Sequence, residues 1–374
     1  MPGGAELPAL ATRVVSMSID DIRRRIDSVD ERLVELLEER ARLAAEAGSA
    51  KRAADQPLYD PEREQRVFEH VETLHEKLRD PAFPRPSLRP VFREIISACL
   101  SLEQPLRVAF FGPAGTFTHM AALSVFGLAP RYVESVTIPG VFDAVARGSA
   151  EYGVVPIENS TEGGVTFTLD SLLESSGVMI RSEVVLDVAQ CLVGRHDELG
   201  RIERVYSHPQ ALAQCRSWLA KNLPQAQLVV SHSTTSAARE ASADDRAAAV
   251  ASRLAAELTG LGVIRDAIQD RAQNATRFVV LAAEDAPPTG RDKTSLVFSA
   301  PHERGALKQI LEIFEAESLN LTRIESRPAP DKLWEYVFFT DVEGHRSEAP
   351  VARAMQRLAE HCAMVKVLGS YPRA

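Results

Sequence analysis

Tyr152-Gly-Val-Val-Pro-Ile-Glu-Asn-Ser-Thr-Glu-Gly-Gly-Val165 is the stretch on which the reading of this chain turns. It opens as a short apolar strand, expected to stop at Pro156. A carboxylate, an amide and two hydroxyls follow at Glu158, Asn159, Ser160 and Thr161, then Gly163 and Gly164. An apolar pattern resumes from Val165 to Leu173. Open α/β sheets bind ligands where a strand ends in polar residues and glycines ahead of a helix. The glycines let the backbone approach closely, and free N–H groups at a helix start favour anions. An ordinary strand-to-helix loop has the same composition, so the stretch alone leaves the function open.

Further along and before it stand Gly112-Pro-Ala-Gly-Thr-Phe117, Ser207-His-Pro-Gln210 and Asn274-Ala-Thr-Arg-Phe278. Together with Val-Pro-Ile-Glu-Asn-Ser-Thr-Glu-Gly, and in this order, they resemble the prephenate dehydratases. The flanking segments resemble a chorismate mutase domain and an ACT domain. The resemblance runs from about Ser18 to Pro372, to the bifunctional chorismate mutase/prephenate dehydratase family of phenylalanine biosynthesis. It implies a multidomain chain. A flexible tail (1–17) would precede an all-α, three-helix mutase domain (18–104). A two-lobed α/β dehydratase domain (105–284), like a periplasmic binding protein, would follow, then a linker (285–292) and an α+β ferredoxin-like ACT domain (293–374).

Composition fits this outline. The 374 residues suffice for two or three domains, and 45% hydrophobic with 25% charged residues is ordinary for a globular protein. A net charge of −9 argues against a general nucleic-acid or membrane surface. No run approaches the roughly 18 apolar residues of a membrane span. The first 17 residues lack a basic start followed by an apolar core, so no signal peptide is expected. Cys99, Cys191, Cys215 and Cys362 are scattered, as reduced thiols of a cytoplasmic protein are, and no cluster has metal-ligand spacing.

From Ser18, a helix start, apolar residues recur at Ile22, Ile26, Val29, Leu33, Leu36, Leu43 and Ala47, the period of a packed seam. A helix from about Ile19 to Arg52 is roughly 50 Å long. It cannot bury its stripe against its own chain alone, which implies a homodimer or higher homo-oligomer. Arg40 takes the skipped seam position, and Lys51, eleven residues on, points the same way. Charges on a seam are costly unless paired, so an anion pocket between helices is one reading and a snorkelling Arg the other. Asp60-Pro-Glu-Arg-Glu64 opens a second helix, and a third runs from about Val91 to Glu103. By resemblance, Arg23, Arg40, Lys51, Asp60, Arg63, Glu64, Cys99 and Glu103 line the mutase site, with Arg23 serving a second copy's pocket. The pericyclic rearrangement of chorismate needs no cofactor, only a held conformer and stabilised charge. Arg40 and Arg23 suit the carboxylates, Lys51 the ether oxygen and Glu64 the ring hydroxyl. Glu103 faces the ether oxygen where some relatives have Gln, so it would have to be protonated to donate.

Between Leu106 and Leu281 short apolar runs alternate with helical patterns, which argues α/β. The strands expected include one from Val184 to Val193, and the helices one from Ala237 to Leu258. By resemblance Thr276 polarises the hydroxyl that leaves prephenate, and Glu158, Asn159, Ser160, Thr161, Ser207, Gln214 and Arg277 bind substrate. His208, beside a proline, suits a structural role better. From Thr294 the order is βαββαβ. Gly305-Ala306-Leu307 and Glu325-Ser326-Arg327 resemble segments that bind phenylalanine as effector. Two other readings stay open: a ligand-sensing protein without catalysis, and an arogenate dehydratase whose helical domain only dimerises.

Overall fold

The computed structural model describes residues 18–54, 61–103, 106–271, 273–329 and 335–373; the expected tail and Asp60 lie outside them. The chain forms two units, Met1–Gln56 and Pro57–Ala374.

In the first unit, the Ser18 hydroxyl accepts the Asp21 N–H at 3.1 Å and Asp21 takes the Ser18 N–H at 3.2 Å. This capping box starts α1 (Ile19–Ala53), and Lys51 and Arg52 sit at its negative end. The bounds match the sequence reading to within one residue. Ile22, Ile26, Val29, Leu33, Leu36 and Leu43 are all exposed along it.

The second unit begins with α2 (Pro61–Glu76) and α3 (Leu88–Glu103). Phe68 is buried under the Arg93 guanidinium, 4.6 Å from its ring centroid. Arg93 and Ser97 then donate to the Val125 and Phe126 carbonyls at 2.7 and 2.6 Å, tying α3 to the α/β core.

That core starts with β1 (Arg107–Phe111), α4 (Phe117–Phe126), β2 (Arg131–Ser135), α5 (Ile138–Ala146), β3 (Tyr152–Asn159), β4 (Gly163–Gly164), α6 (Thr166–Glu174) and β5 (Met179–Asp187). The chain then crosses to a second sheet. There follow β6 (Cys191–Gly194), β7 (Arg204–Ser207), α7 (Pro209–Gln214), α8 (Arg216–Asn222), β8 (Gln227–Val230), α9 (Thr234–Ser242), β9 (Ala247–Ala251), α10 (Arg253–Thr259) and β10 (Gly262–Arg265). It returns as β11 (Ala275–Ala282), giving sheet orders β2-β1-β3-β11-β5, with β4 on β3, and β10-β6-β9-β7-β8. Two crossings make two lobes, a connection the sequence does not display.

Three expectations are corrected. The strand does not stop at Pro156 but runs to Asn159, because Phe278 pairs with Pro156 and Arg277 with Glu158, leaving Ile157 as a bulge. A proline without an N–H is tolerated at such an irregularity. The strand expected over 184–193 is two strands in different sheets. The helix expected over 237–258 is α9, β9 and α10. Ala247-Ala-Ala-Val-Ala251 pairs with both β6 and β7 and is buried throughout, so tertiary burial overrides the helix preference of alanine.

The last domain comprises β12 (Asp292–Ser299), α11 (Ala306–Ala316), β13 (Leu321–Pro328), β14 (Tyr336–Glu343), α12 (Ala349–His361) and β15 (Met364–Pro372), the βαββαβ order expected. Its antiparallel sheet, β13-β14-β12-β15, buries one face under α11 and α12. The other face shares a single core with the first lobe, where Val297, Phe339, Leu368 and Tyr371 meet Val155, Ile157 and Val279. Gly369 marks the closest approach: a Cβ there would stand 2.2 Å from the Ile180 carbonyl oxygen.

Candidate active site

The bulge at Ile157 aims the central residues. Ile157 and Glu158 both turn away from the interlobe side, so Asn159 faces it together with Pro156, and its register partner Thr276 does the same. A cleft of about 950 Å³ opens between the lobes over this pair. The Asn159 Oδ1 accepts the Thr161 and Glu162 backbone N–H groups at 2.9 and 3.2 Å. Its Nδ2 therefore faces Thr276 Oγ1 and Asn274 Oδ1, both at 2.9 Å. With its oxygen already accepting, the Thr276 hydroxyl has its proton left to donate. The starts of α4, α6 and α9 reach the cleft wall through Thr116, Thr166 and Ser233. The described lining contains no Lys or Arg; it offers an anion the N–H groups at helix starts, beside the side chains of His208 and His232.

Of the residues expected here, Asn159, Thr276 and Gln214 line the cleft, and Thr161 lines an adjoining cavity of about 300 Å³. Ser160 accepts the Ala275 N–H at 3.0 Å, which fastens the loop. Ser207 does not reach the cleft: it is fully buried, its hydroxyl donating to the Val250 carbonyl at 2.6 Å. His208 caps α7, its ring nitrogen taking the Gln210 N–H, and it also lines the cleft, which the sequence reading did not expect. Sequence reading missed Glu162, Gln190, Gln210 and Asn274. Glu162 lines both cavities and accepts hydrogen bonds from Gln210 and, at 3.3 Å, from Gln214, bridging the lobes. The signal for Asn274 was its place two residues before Thr276, the spacing that puts strand neighbours on one face.

Glu158 and Arg277 are the clearest correction. Each adjoins a cleft residue along its strand, so each points the other way, toward the last domain. Arg277 meets Asp341 at 2.7 Å, Glu158 at 3.0 Å and Glu183 at 3.3 Å. Lys293 joins Glu183 at 2.8 Å, and Arg323 pairs with Glu325. Burial by itself would push the Asp341 carboxyl up. The Arg277 charge, the Ser295 hydroxyl and Arg323 outweigh it and hold the group below the ordinary carboxylate value.

The effector segment divides in the same way along β13. Ser326 is exposed, whereas Glu325 and Arg327 turn to the first lobe. Arg327 reaches Asp170 at 2.9 Å and the Thr166 hydroxyl at 3.0 Å, at the start of a cleft helix. Glu325 lies so close to Gly164 that a Cβ there would be 2.3 Å from its carboxylate. Gly305 is the N-cap of α11, with Ala306 buried and Leu307 against the core beneath.

The mutase residues fall into two sets. Arg23, Arg40 and Lys51 belong to α1, where Arg23 pairs with Asp20 at 3.5 Å. Arg63, Glu64, Cys99 and Glu103 belong to α2 and α3 of the other unit. Glu64 is buried and ion-paired with Arg93, a partner the sequence reading did not foresee, and Cys99 is buried.

A three-helix segment, a two-lobed cleft and a ferredoxin-like domain define a class, and three family models match it in order. Chorismate mutase type II matches residues 22–104, prephenate dehydratase 108–286 and the ACT domain 294–360. The bifunctional chorismate mutase/prephenate dehydratase of Aquifex aeolicus is 47% identical over 356 residues, 95% of this chain and 98% of that one. A solved prephenate dehydratase from Arthrobacter aurescens, in complex with L-Phe, is 38% identical, with TM-score 0.67 over 72% of this chain and 90% of that one. A second structure, GqqA, described as a quorum-quenching acylase, is 31% identical, with TM-score 0.65 over 72% and 98%. The chain belongs to the family of bifunctional chorismate mutase/prephenate dehydratases. It is an enzyme of phenylalanine biosynthesis with both activities.

Proposed function

We propose that prephenate is decarboxylated and dehydrated in the interlobe cleft, with Thr276 donating to the departing ring hydroxyl. The observation that supports this most directly is the 2.9 Å bond from Asn159 Nδ2 to Thr276 Oγ1, which leaves the threonine proton for the substrate. A threonine is too weak an acid to protonate a hydroxide fully in the ground state. It stabilises the charge as the C–O bond lengthens, and loss of CO₂ with aromatisation supplies the driving force. The helix starts around the cleft hold the carboxylates, with no Lys or Arg among the described lining residues to lock the departing one.

Chorismate is rearranged on the helical segment. Arg40, and Arg23 from a second copy, hold its carboxylates. Lys51 donates to the ether oxygen, and Glu64, fixed by Arg93, accepts from the ring hydroxyl. The exposed apolar stripe of α1 supports a homodimer that covers it. Chorismate supplied alone yields prephenate and then phenylpyruvate. Arg40→Ala lowers mutase kcat/KM by about 10²-fold or more while dehydratase turnover of added prephenate is unchanged. Loss of both activities in a folded protein refutes separate sites.

Phenylalanine inhibits through the last domain, binding near Gly305, Ala306, Leu307 and Ser326; the Arthrobacter relative with bound L-Phe supports this. Glu325 and Arg327 transmit rather than bind, through Gly164, Asp170 and Thr166. Ser326→Ala or Gly305→Val is expected to weaken inhibition and spare the uninhibited rate. Deleting the domain is not an equivalent test, because its residues share a core with the first lobe. No helix among the described residues is long and apolar enough to cross a membrane, and we place the enzyme in the cytoplasm.

A further inference from the structure

Asn274 is 5% exposed, precedes β11 and stands behind the cleft pair. Its Oδ1 accepts from Asn159 Nδ2 at 2.9 Å, and its Nδ2 donates to Gln214 Oε1 at 3.3 Å. Gln214 Oε1 also accepts from Gln190 Nε2 at 3.2 Å, while Gln214 Nε2 donates to Glu162 at 3.3 Å. The amides of Asn159, Asn274 and Gln214 each have one admissible orientation. Two backbone N–H groups fix the Asn159 oxygen, so its NH₂ faces Asn274. A reversed Asn274 would set NH₂ against NH₂ at Asn159 and oxygen against oxygen at Gln214. A reversed Gln214 would set its NH₂ against that of Gln190 and its oxygen against Glu162.

Asn159 uses one amide hydrogen on Asn274 and the other on Thr276. Removing the first acceptor leaves that part-buried N–H only the longer contact to the Ala275 carbonyl, at 3.3 Å, and lets the amide plane turn toward it. That rotation weakens the bond that keeps the Thr276 oxygen occupied as an acceptor. We infer that Asn274 is a positioning residue for the dehydratase step, fixing the Asn159 amide so that Thr276 presents its proton to the substrate. The inference rests on the assignment of Thr276 as donor.

The test uses the full-length enzyme with prephenate across mildly acidic to mildly alkaline pH. Asn274→Leu lowers kcat by roughly 5- to 100-fold with KM unchanged, since the residue does not touch substrate. Asn274→Asp gives the more specific readout. Ionised, the introduced carboxylate opposes Gln214 Oε1, and that repulsion draws it off Asn159 Nδ2, loosening the amide it should fix. Protonated, its O–H donates to Gln214 and its carbonyl oxygen accepts from Asn159, which restores the chain. Burial and the carboxylates of Glu162 and Asp270 raise the introduced carboxyl's pKa, and Arg271, exposed on the same cavity, offsets part of that rise. Turnover of this variant is therefore high below that pKa and falls as pH rises through it, a limb absent from the wild-type profile. Wild-type turnover in Asn274→Leu, or a pH-independent loss in Asn274→Asp, overturns the proposal. If the leucine variant fails to fold, the titration of the aspartate variant decides alone. Activity surviving in Thr276→Ala would instead sink the underlying assignment, so the two failures are distinguishable.

Discussion

Thr276→Ala is expected to lower prephenate turnover by about 10²- to 10³-fold, the usual cost of removing one donor aimed at developing charge. Thr276→Ser is expected to recover most of it, because the hydroxyl and its bond from Asn159 are kept. The mutase rate on chorismate stays unchanged in both. Asn159→Asp is close in shape but reverses the logic: a carboxylate cannot donate to Thr276, and instead draws the threonine proton to itself. That variant should lose turnover nearly as completely as Thr276→Ala. It should also weaken the loop, since the carboxylate still accepts from Thr161 and Glu162 but no longer donates to Asn274. Steady-state kinetics with prephenate and with chorismate separate these outcomes. A Thr276→Ala enzyme within a few-fold of wild type would mean that the leaving hydroxyl is assisted from elsewhere in the cleft.

Much of this was legible in the sequence because it is local. The seam of α1, its capping box and the βαββαβ order follow from periodicity and short-range chemistry, and the polar stretch after Val155 announced a ligand site. What was not legible depends on long-range pairing. Glu158 and Asn159 are neighbours, and nothing in their order says that one faces the cleft and the other the regulatory sheet. That is decided by the register of β3 against β11 and by the extra residue at Ile157. Ala247 to Ala251 read as helix because alanine favours helices, yet its two strand neighbours lie far off in sequence. Ser207 matched a motif, but its strand position turns it into the sheet interior.

The strongest stability effect is expected at Arg277. The side chains of Asp341 and Glu183 are only 2% and 3% exposed, and the Arg277 guanidinium lies between them. Arg277→Met leaves the two carboxylates in a nearly dry joint. Lys293 still faces Glu183, and Ser295 and Arg323 still face Asp341. Breaking a buried pair from one side costs about 3–5 kcal/mol, a large share of a stability usually about 5–15 kcal/mol. The midpoint of urea unfolding should fall accordingly, and adding Asp341→Asn should restore much of it by removing the stranded charge. The wild-type joint should also weaken in acid. Because the folded-state pKa of Asp341 is depressed, its contribution is complete above the unfolded value and is lost as pH falls through the folded one. Arg277 stays charged throughout, so the loss tracks the carboxylate. Turnover separates this joint from a substrate role. If Arg277 faces the regulatory sheet, the folded fraction of Arg277→Met keeps its KM for prephenate, and its response to phenylalanine is blunted, because the cluster holds β11 to β14. A large rise in KM with the unfolding midpoint unmoved would return Arg277 to the substrate, and would require the β3–β11 register to shift by one residue.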